Sequence, residues 1–167
     1  NKGNNSAENA LYSGTLGAAM EGALQGIPSI ALSQYLGPKN IASDNPFEAA
    51  ESFGAEVIKK ILSVDITPRG FYHLFYNVNF PPYPASEVKG IKFTRQGYRQ
   101  DGQFSVKAVT SPSNRKFLFV AGSNQQLQTP DGSDAAVNMD GYISITPMIA
   151  DLTSYEVLEA LQVGNDP

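Results

Sequence analysis

The first fifteen residues carry the side chains best suited to chemistry. One glycine and four asparagines open this segment, namely Asn1, Gly3, Asn4, Asn5 and Asn9. Both residue types accept the backbone conformations that tight loops need, so we expect a loop and not a strand. The run Tyr12-Ser13-Gly14-Thr15 then predicts the start of a small-residue helix over 16–25. Free N–H groups and the helix dipole make such a start suitable for a phosphate, but the residues alone favour an ordinary N-cap by Ser13.

Composition limits the class of protein. The chain has 167 residues, of which 41% are hydrophobic and 17% charged, and this is typical of one soluble globular domain with a real core. It contains no cysteine, which excludes disulfides and thiolate metal sites and favours the cytoplasm. No apolar run is long enough for a membrane helix. A net charge of −4 argues against binding duplex nucleic acid but leaves a nucleotide-sized ligand open.

The first half of the chain alternates helices and strands. Residues 27–33 are nearly all apolar, which predicts a strand buried on both faces, as in a parallel sheet. The run Asn45-Pro46-Phe47-Glu48 predicts a capping box at the start of a second helix, which ends near Lys59 and Lys60. Residues 71–80 predict the next strand.

After Pro84 the pattern predicts mostly strands. Residues 91–95 and 104–108 alternate polar and apolar side chains, and Asp101-Gly102 between them predicts a hairpin turn. The later elements are a turn at 111–114, a strand over 116–121, a short helix over 133–137, a strand over 142–147 and a final helix over 154–162.

Several other side chains leave two interpretations open. Glu21 is either a metal ligand or a locally paired surface residue, and His73 is either a general base or a structural or surface residue. Asn77 and Asn79 share one face of their strand, and we assign them no direct chemistry. A phosphate patch or, alternatively, a hairpin edge or subunit contact would be formed by Lys92, Arg95 and Arg99.

Five sequence blocks, in order, resemble the SurE family of stationary-phase survival nucleotidases. The first is Asn-x-Gly-x-Asn followed, after six residues, by Tyr-Ser-Gly-Thr-x-x-Ala-Ala-x-Glu-Gly. The others are Gly-Ile-Pro-Ser-Ile-Ala-Leu-Ser at 26–33, Asn-Val-Asn-Phe-Pro at 77–81, Gly-Ile-Lys-Phe-Thr-Arg-Gln-Gly at 90–97, and the paired runs 132–137 and 141–147. Together these blocks span nearly the whole chain.

The resemblance implies specific site residues. Asn1 matches a metal ligand of the family, while Asn5 and the Ser13-Gly14-Thr15 turn match residues that line the phosphate pocket. The implied metal is Mg²⁺ or Mn²⁺, which prefer oxygen ligands. The family's Asn-Asp-Asp-Gly motif and metal-site serine have no counterpart here. We therefore assign no catalytic residue, and we interpret the chain as the C-terminal two-thirds of a longer protein.

The expected fold is α/β, a Rossmann-like three-layer SurE fold with a parallel core sheet and an antiparallel β-hairpin extension. Residues 1–84 would belong to the nucleotidase core, 85–121 would form the extension and oligomerisation arm, and 122–167 would return to the core.

The implied function is a divalent-metal-dependent phosphomonoesterase, a 5'-nucleotidase or acid phosphatase acting on nucleoside monophosphates. The expected assembly is a homodimer or homotetramer, with no nucleic-acid duplex or membrane as partner. The alternative is a non-catalytic assembly or binding module. A dinucleotide binder is disfavoured because no Gly-x-Gly-x-x-Gly follows a strand.

Overall fold

The secondary-structure elements come from a computed structural model that describes residues 1–64, 73–100, 102, 104–122 and 124–163. The α-helices are α1 (Gly14–Leu24), α2 (Glu48–Leu62), α3 (Asp134–Met139) and α4 (Tyr155–Val163). The strands are β1 (Ser29–Gln34), β2 (Phe75–Phe80), β3 (Ile91–Phe93), β4 (Ser105–Thr110), β5 (Lys116–Ala121) and β6 (Ile143–Met148). Two short 3₁₀ helices cover Ala7–Tyr12 and Ala85–Glu87.

Four strands form the central sheet in the order β1-β2-β6-β3. β1 runs parallel to β2, and β3 runs parallel to β6, but β2 and β6 are antiparallel. The sheet is therefore mixed, whereas the sequence predicted a parallel sheet. Burial does not reveal the direction of β6, because its four successive buried residues, Ile143 to Thr146, would be covered on both faces whichever way the strand runs.

Two separate apolar clusters show that the sheet is covered on both faces. One cluster joins α2 to the sheet through Val57, Ile61, Val78, Phe80 and their neighbours. The other joins α1 to the opposite face through Leu16, Ala19, Ala23, Ala31 and Phe75. Because Phe75 lies on the α1 face, Asn77 and Asn79 of the same strand also lie on that face. This arrangement confirms the predicted three-layer α/β fold.

Most predicted elements are found within one or two residues of their expected bounds. Ser13 is the N-cap of α1, because its Oγ accepts the Leu16 N–H at 3.2 Å. The predicted strand over 116–121 is β5, and the predicted short helix, last strand and last helix are α3, β6 and α4. Residues 71 and 72 of the predicted strand 71–80 lie outside the described residues. Within the described part of the chain, each helix is too short or too polar to cross a bilayer.

The hairpin lies further along the chain than predicted. Residues 91–95 do not pair with 104–108, because β3 joins the central sheet beside β6 and β4 pairs with β5. The turn is at residues 111–115, where Asn114 adopts a φ of 60°, a left-handed conformation that asparagine tolerates. Asp101 lies outside the described residues, and the Gly102 N–H bonds to Arg99 O at 3.0 Å. The alternation of 91–95 could not reveal that β6, some fifty residues later, was its partner.

The predicted capping box at the start of α2 is wrong. The helix begins at Glu48, and its N-cap, Phe47, makes no side-chain capping hydrogen bond. Asn45 Oδ1 instead accepts the Phe47 N–H at 3.1 Å, in a turn before the helix. The Glu48 carboxylate accepts the Ala85 N–H at 3.1 Å and so ties α2 to the second 3₁₀ helix. The Glu48 carboxylate thus accepts from a distant backbone N–H and not from one at the start of its own helix.

Two glycines in α1 allow a paired stability test. Gly17 has no atom within 4 Å of where a methyl group would lie, whereas a methyl group at Gly22 would overlap the Ser29 hydroxyl. Gly17→Ala should therefore raise the free energy of unfolding by about 0.5–1 kcal/mol, from helix propensity alone. Gly22→Ala should give no such gain, because Ser29 would lose its 2.8 Å hydrogen bond to Ile27 O. Chemical denaturation measures both values.

A double variant supplies the control. In a Ser29→Ala background the obstructing hydroxyl is gone, so adding Gly22→Ala should now stabilise the chain about as much as Gly17→Ala does. Equal stabilisation by Gly17→Ala and Gly22→Ala in the otherwise unchanged chain would contradict the close α1–β1 packing.

Candidate functional site

The amino-terminal loop lies beside the carboxyl end of β1. The Asn1 amine donates to Leu32 O at 2.9 Å, and the Gln34 N–H donates to Asn1 O at 3.0 Å. The Gly3 N–H then donates to Gln34 O at 3.0 Å, and one parallel bridge links Lys2 to Gln34. The segment is a loop, as expected, with a single bridge to the sheet. Polar side chains at the carboxyl end of parallel strands are the usual place for a ligand in α/β proteins.

Asn5 is bound from three sides. Its N–H donates to Asn79 Oδ1 at 2.7 Å, and its Nδ2 donates to Ser33 Oγ at 2.7 Å. Its carbonyl oxygen accepts from Asn77 Nδ2 at 2.8 Å. Asn5 therefore connects the loop to the ends of both β1 and β2, in a geometry set by the sheet.

Asn77 and Asn79 were noted from sequence but not assigned a part in the site. Both are fully buried, and Asn79 Nδ2 donates to Asn77 Oδ1 at 3.2 Å. Asn138 of α3 extends this group of amides, because its Nδ2 donates to Asn79 O at 2.8 Å. Two amides at alternate positions of an otherwise apolar strand are the sequence signal for this role, since buried polar groups need partners.

Arg99 is buried and lies beneath the loop. Its side chain is 1% exposed, and its guanidinium donates to Ser6 O at 3.2 Å, Ser6 Oγ at 3.1 Å and Gln125 O at 3.2 Å. It also forms an ion pair with Glu8 at 3.1 Å. Burial raises the pKa of the Tyr35 hydroxyl, and the charge of Arg99 opposes the rise.

The predicted patch of all three cations is therefore wrong, because Arg99 is buried, whereas Lys92 and Arg95 are exposed and a subunit contact through these two stays a prediction. Arg99 is in the interior, Arg95 Nη2 donates to Asp131 O at 3.2 Å, and Lys92 Nζ lies 3.7 Å from the centre of the Tyr142 ring. The alternating sequence pattern reveals the positive charges but not the carbonyl and carboxylate oxygens that accept from Arg99.

The carboxylate of Asp134 holds the backbone corner at Ala7, which follows the loop. Its carboxylate accepts N–H groups from Ala7 at 3.0 and 3.1 Å, Gly97 at 2.9 Å and Ala135 at 2.7 Å. Burial raises the pKa of the Asp134 carboxyl, and these donors together with the charge of Arg99 oppose the rise. The Ala7 backbone is left-handed, with a φ of 53°, so the corner is strained and held by this carboxylate.

The start of α1 lies at the same edge of the sheet. α1 leads through a short turn into β1 and packs against it, so its first residues lie near the carboxyl end of β1, where Asn5 is bound. Ser13 Oγ is engaged as the cap. The N–H groups of Gly14 and Thr15 come in the first turn and have no acceptor within the helix. The structure thus brings this turn and Asn5 to one edge.

Glu21 and His73 lie away from this edge. Glu21 Oε1 accepts from Gln25 Nε2 at 2.9 Å on the exposed face of α1, as the locally paired alternative predicts. His73 is exposed and precedes β2, so it lies at the opposite end of the strand from Asn79. It lines a surface cavity of about 260 Å³ with Ile27 and Leu74, which agrees with a surface role.

The described residues do not by themselves fit a divalent-cation site. Among them, no group of three or more His, Cys, Asp or Glu side chains is placed to hold a metal ion. Asn1 is exposed, and its Nδ2 donates to Gly3 O at 3.1 Å, which leaves Oδ1 as a single neutral oxygen donor. Mg²⁺ is normally bound through at least one carboxylate.

Comparison with known proteins adds the family. The profile described as "Survival protein SurE" matches residues 1–103. The protein named "5'-nucleotidase SurE" from Ruegeria pomeroyi is 58% identical over 162 residues, which cover 97% of this chain and 62% of that protein. The protein of the same name from Jannaschia sp. is 58% identical over 167 residues, again covering 97% and 62%. The chain thus spans about 62% of the length of these relatives.

A solved structure agrees with the sequence comparison. The SurE protein from Aquifex aeolicus superimposes with a TM-score of 0.73 and 36% sequence identity, over 99% of this chain and 63% of that one. The profile match, the relatives and the shared fold all include α1 and the loop over residues 1–6, called here the asparagine loop. The chain belongs to the SurE family.

Proposed function

We propose that the protein is a phosphomonoesterase that hydrolyses nucleoside monophosphates, a 5'-nucleotidase. The relatives with 58% identity carry the name 5'-nucleotidase SurE, which supports this activity over a non-catalytic assembly or binding module. The observation that carries the proposal is the placement of Asn5 and the Ser13-Gly14-Thr15 turn at one edge of the sheet. Since the chain spans 62% of those relatives, the activity is proposed for the whole protein.

The phosphate would be held by the start of α1. The N–H groups of Gly14 and Thr15 face outward from the first turn, and the helix dipole adds partial positive charge there. Ser13 keeps the turn in shape through its cap to Leu16. Asn5 would line the same pocket from the β1 side, at a position fixed by Ser33, Asn77 and Asn79. Donors that are already in place need no reorganisation when charge develops on the phosphate.

We also propose that the reaction depends on Mg²⁺ or Mn²⁺. Such an ion, when bound, would neutralise phosphate charge and orient water for attack. Asn1 would contribute one oxygen to it. The described residues offer no carboxylate cluster beside Asn1. We also propose a cytoplasmic location, which the absence of cysteine from the sequence supports.

A second copy of the chain is the proposed partner of the β4–β5 hairpin. Every residue of both strands is exposed. One face carries Val106, Leu118 and Val120, with exposed fractions of 62%, 70% and 68%. An isolated two-stranded hairpin is marginally stable in water, and an exposed apolar face of this kind is typical of a protein interface. We therefore propose a homodimer or homotetramer that uses this hairpin, in place of the hairpin predicted around Asp101-Gly102.

The phosphate site can be tested with two capping residues of different charge. Ser13→Thr and Ser13→Asp both retain a side-chain oxygen for the Leu16 N–H, so both variants should melt near the unaltered chain. The added carboxylate should repel a bound anion and weaken inorganic phosphate binding by about ten-fold in Ser13→Asp, but not in Ser13→Thr. Calorimetric titration measures the affinities. Equal phosphate affinity in the two variants would remove Ser13 and its neighbours from the phosphate site.

The metal proposal makes a prediction for the 167-residue chain alone. One neutral amide oxygen cannot displace the water held by Mg²⁺, so millimolar Mg²⁺ should change the melting temperature by less than about 1 °C. NaCl at matched ionic strength is the control. A rise of several degrees with Mg²⁺ and none with NaCl would mean that these residues form a metal site without further ligands.

The hairpin proposal predicts a change in assembly. Leu118→Asp places a charge in the middle of the apolar face and should shift the protein to a smaller species in light scattering. Ser113→Asp, in the turn at the hairpin tip, adds the same charge outside that face and should leave the mass unchanged. If Leu118→Asp and Ser113→Asp have the same mass as the unaltered protein, the hairpin is not the contact.

A further inference from the structure

A cavity next to the start of α1 is lined by aromatic side chains. It has a volume of about 450 Å³, and its walls include Tyr12, Tyr98 and Phe104. Gln96 and Leu11 complete the accessible wall. This volume is within the range of pockets for small ligands. Since Tyr12 directly precedes Ser13 in the chain, the cavity adjoins the turn proposed to hold phosphate.

The three aromatic rings are largely exposed to solvent. Tyr12 is 72% exposed, Tyr98 59% and Phe104 45%. Tyr12 and Phe104 already meet edge to face, with ring centres 5.1 Å apart and an angle of 79° between the planes. This contact fixes the two rings relative to each other but leaves much of their surface in water. Such a surface gains free energy when another flat ring covers it.

The floor of the cavity is polar. It is formed by the ion pair of Glu8 with the buried Arg99. Gly102 packs directly on this pair, since a methyl group there would lie 2.7 Å from Arg99 Cβ and 2.8 Å from Glu8 Oε1. The Gln96 side chain, which is half buried, adds an amide that can both donate and accept.

We propose that this cavity is the subsite for the planar base of the nucleotide. The base would stack on Tyr12 and Tyr98, with the Gln96 amide at its polar edge. A flat ring with a polar rim matches both the aromatic walls and the amide, whereas an aliphatic chain would leave the amide unpaired. The inference rests on the proposed function, because it takes the phosphate of the same ligand to lie at Gly14 and Thr15.

Three probes separate the two halves of the ligand. They are adenosine 5'-monophosphate, adenosine and ribose 5-phosphate, each titrated by NMR into the chain. Tyr12→Ala and Tyr98→Ala should each weaken the monophosphate and adenosine by about ten-fold, the loss of roughly one base stack, and leave ribose 5-phosphate unchanged. Tyr12→Phe, which keeps the ring, should bind like the unaltered chain. Phe93→Ala removes an exposed ring outside the cavity and should have no effect.

The outcomes distinguish the subsite from the phosphate site. If adenosine binds through Tyr12 while ribose 5-phosphate does not bind, the base subsite stands and the phosphate site falls. If ribose 5-phosphate binds and the Tyr12→Ala and Tyr98→Ala chains retain full affinity for the monophosphate, the base subsite is overturned. Failure of the unaltered chain to bind either adenosine or its monophosphate overturns it as well.

Discussion

The geometry of this edge of the protein depends on one buried carboxylate. Asp134 accepts N–H groups from Ala7, Gly97 and Ala135, which belong to three segments far apart in the chain. Hydrogen bonds to an ionised acceptor are the stronger kind, and a buried donor left without a partner costs free energy. The interaction therefore holds the end of the asparagine loop, the segment before Arg99 and the start of α3 in one arrangement.

The amide groups beside this carboxylate have a related role. Asn77, Asn79 and Asn138 are fully buried. Their hydrogen bonds give the loop at Asn5 one set of partners, and each amide orients the next. A loop held in this way by the sheet keeps its donors and acceptors in place before any ligand arrives. The polar interior thus determines the shape of the site more than it determines which strands form.

Local patterns in the sequence were sufficient for most of the fold. The small residues after Ser13 predicted α1, and the nearly all-apolar run over 27–33 predicted β1, because burial of a strand is visible in its own residues. The direction of β6 and the partner of β3 were not predictable, since both depend on contacts between distant segments. For the same reason Glu48 was given a local partner in place of Ala85.

The site was predictable only in part. Asn5 was found through the family resemblance, the turn at Ser13 was found from its own residues as well, and the structure places them at one edge. The partner of Asn77 could not be inferred, because it is the Asn5 carbonyl, 72 residues earlier. Arg99 likewise resembled a surface cation until Glu8 and Ser6 were seen beside it. Spacing and alternation describe one element at a time, and these contacts join several.

The contact between Ala7 and Asp134 also has a consequence for the order of folding. The two residues are separated by 127 positions, so closing this contact requires almost the whole chain. A ribosome adds about 5–20 residues per second, which means that the asparagine loop leaves the ribosome about 6–25 s before its carboxylate anchor is made. Contacts of such high sequence separation form late in folding. The loop is thus synthesised well before Asp134, and it reaches its final conformation only after that residue is available.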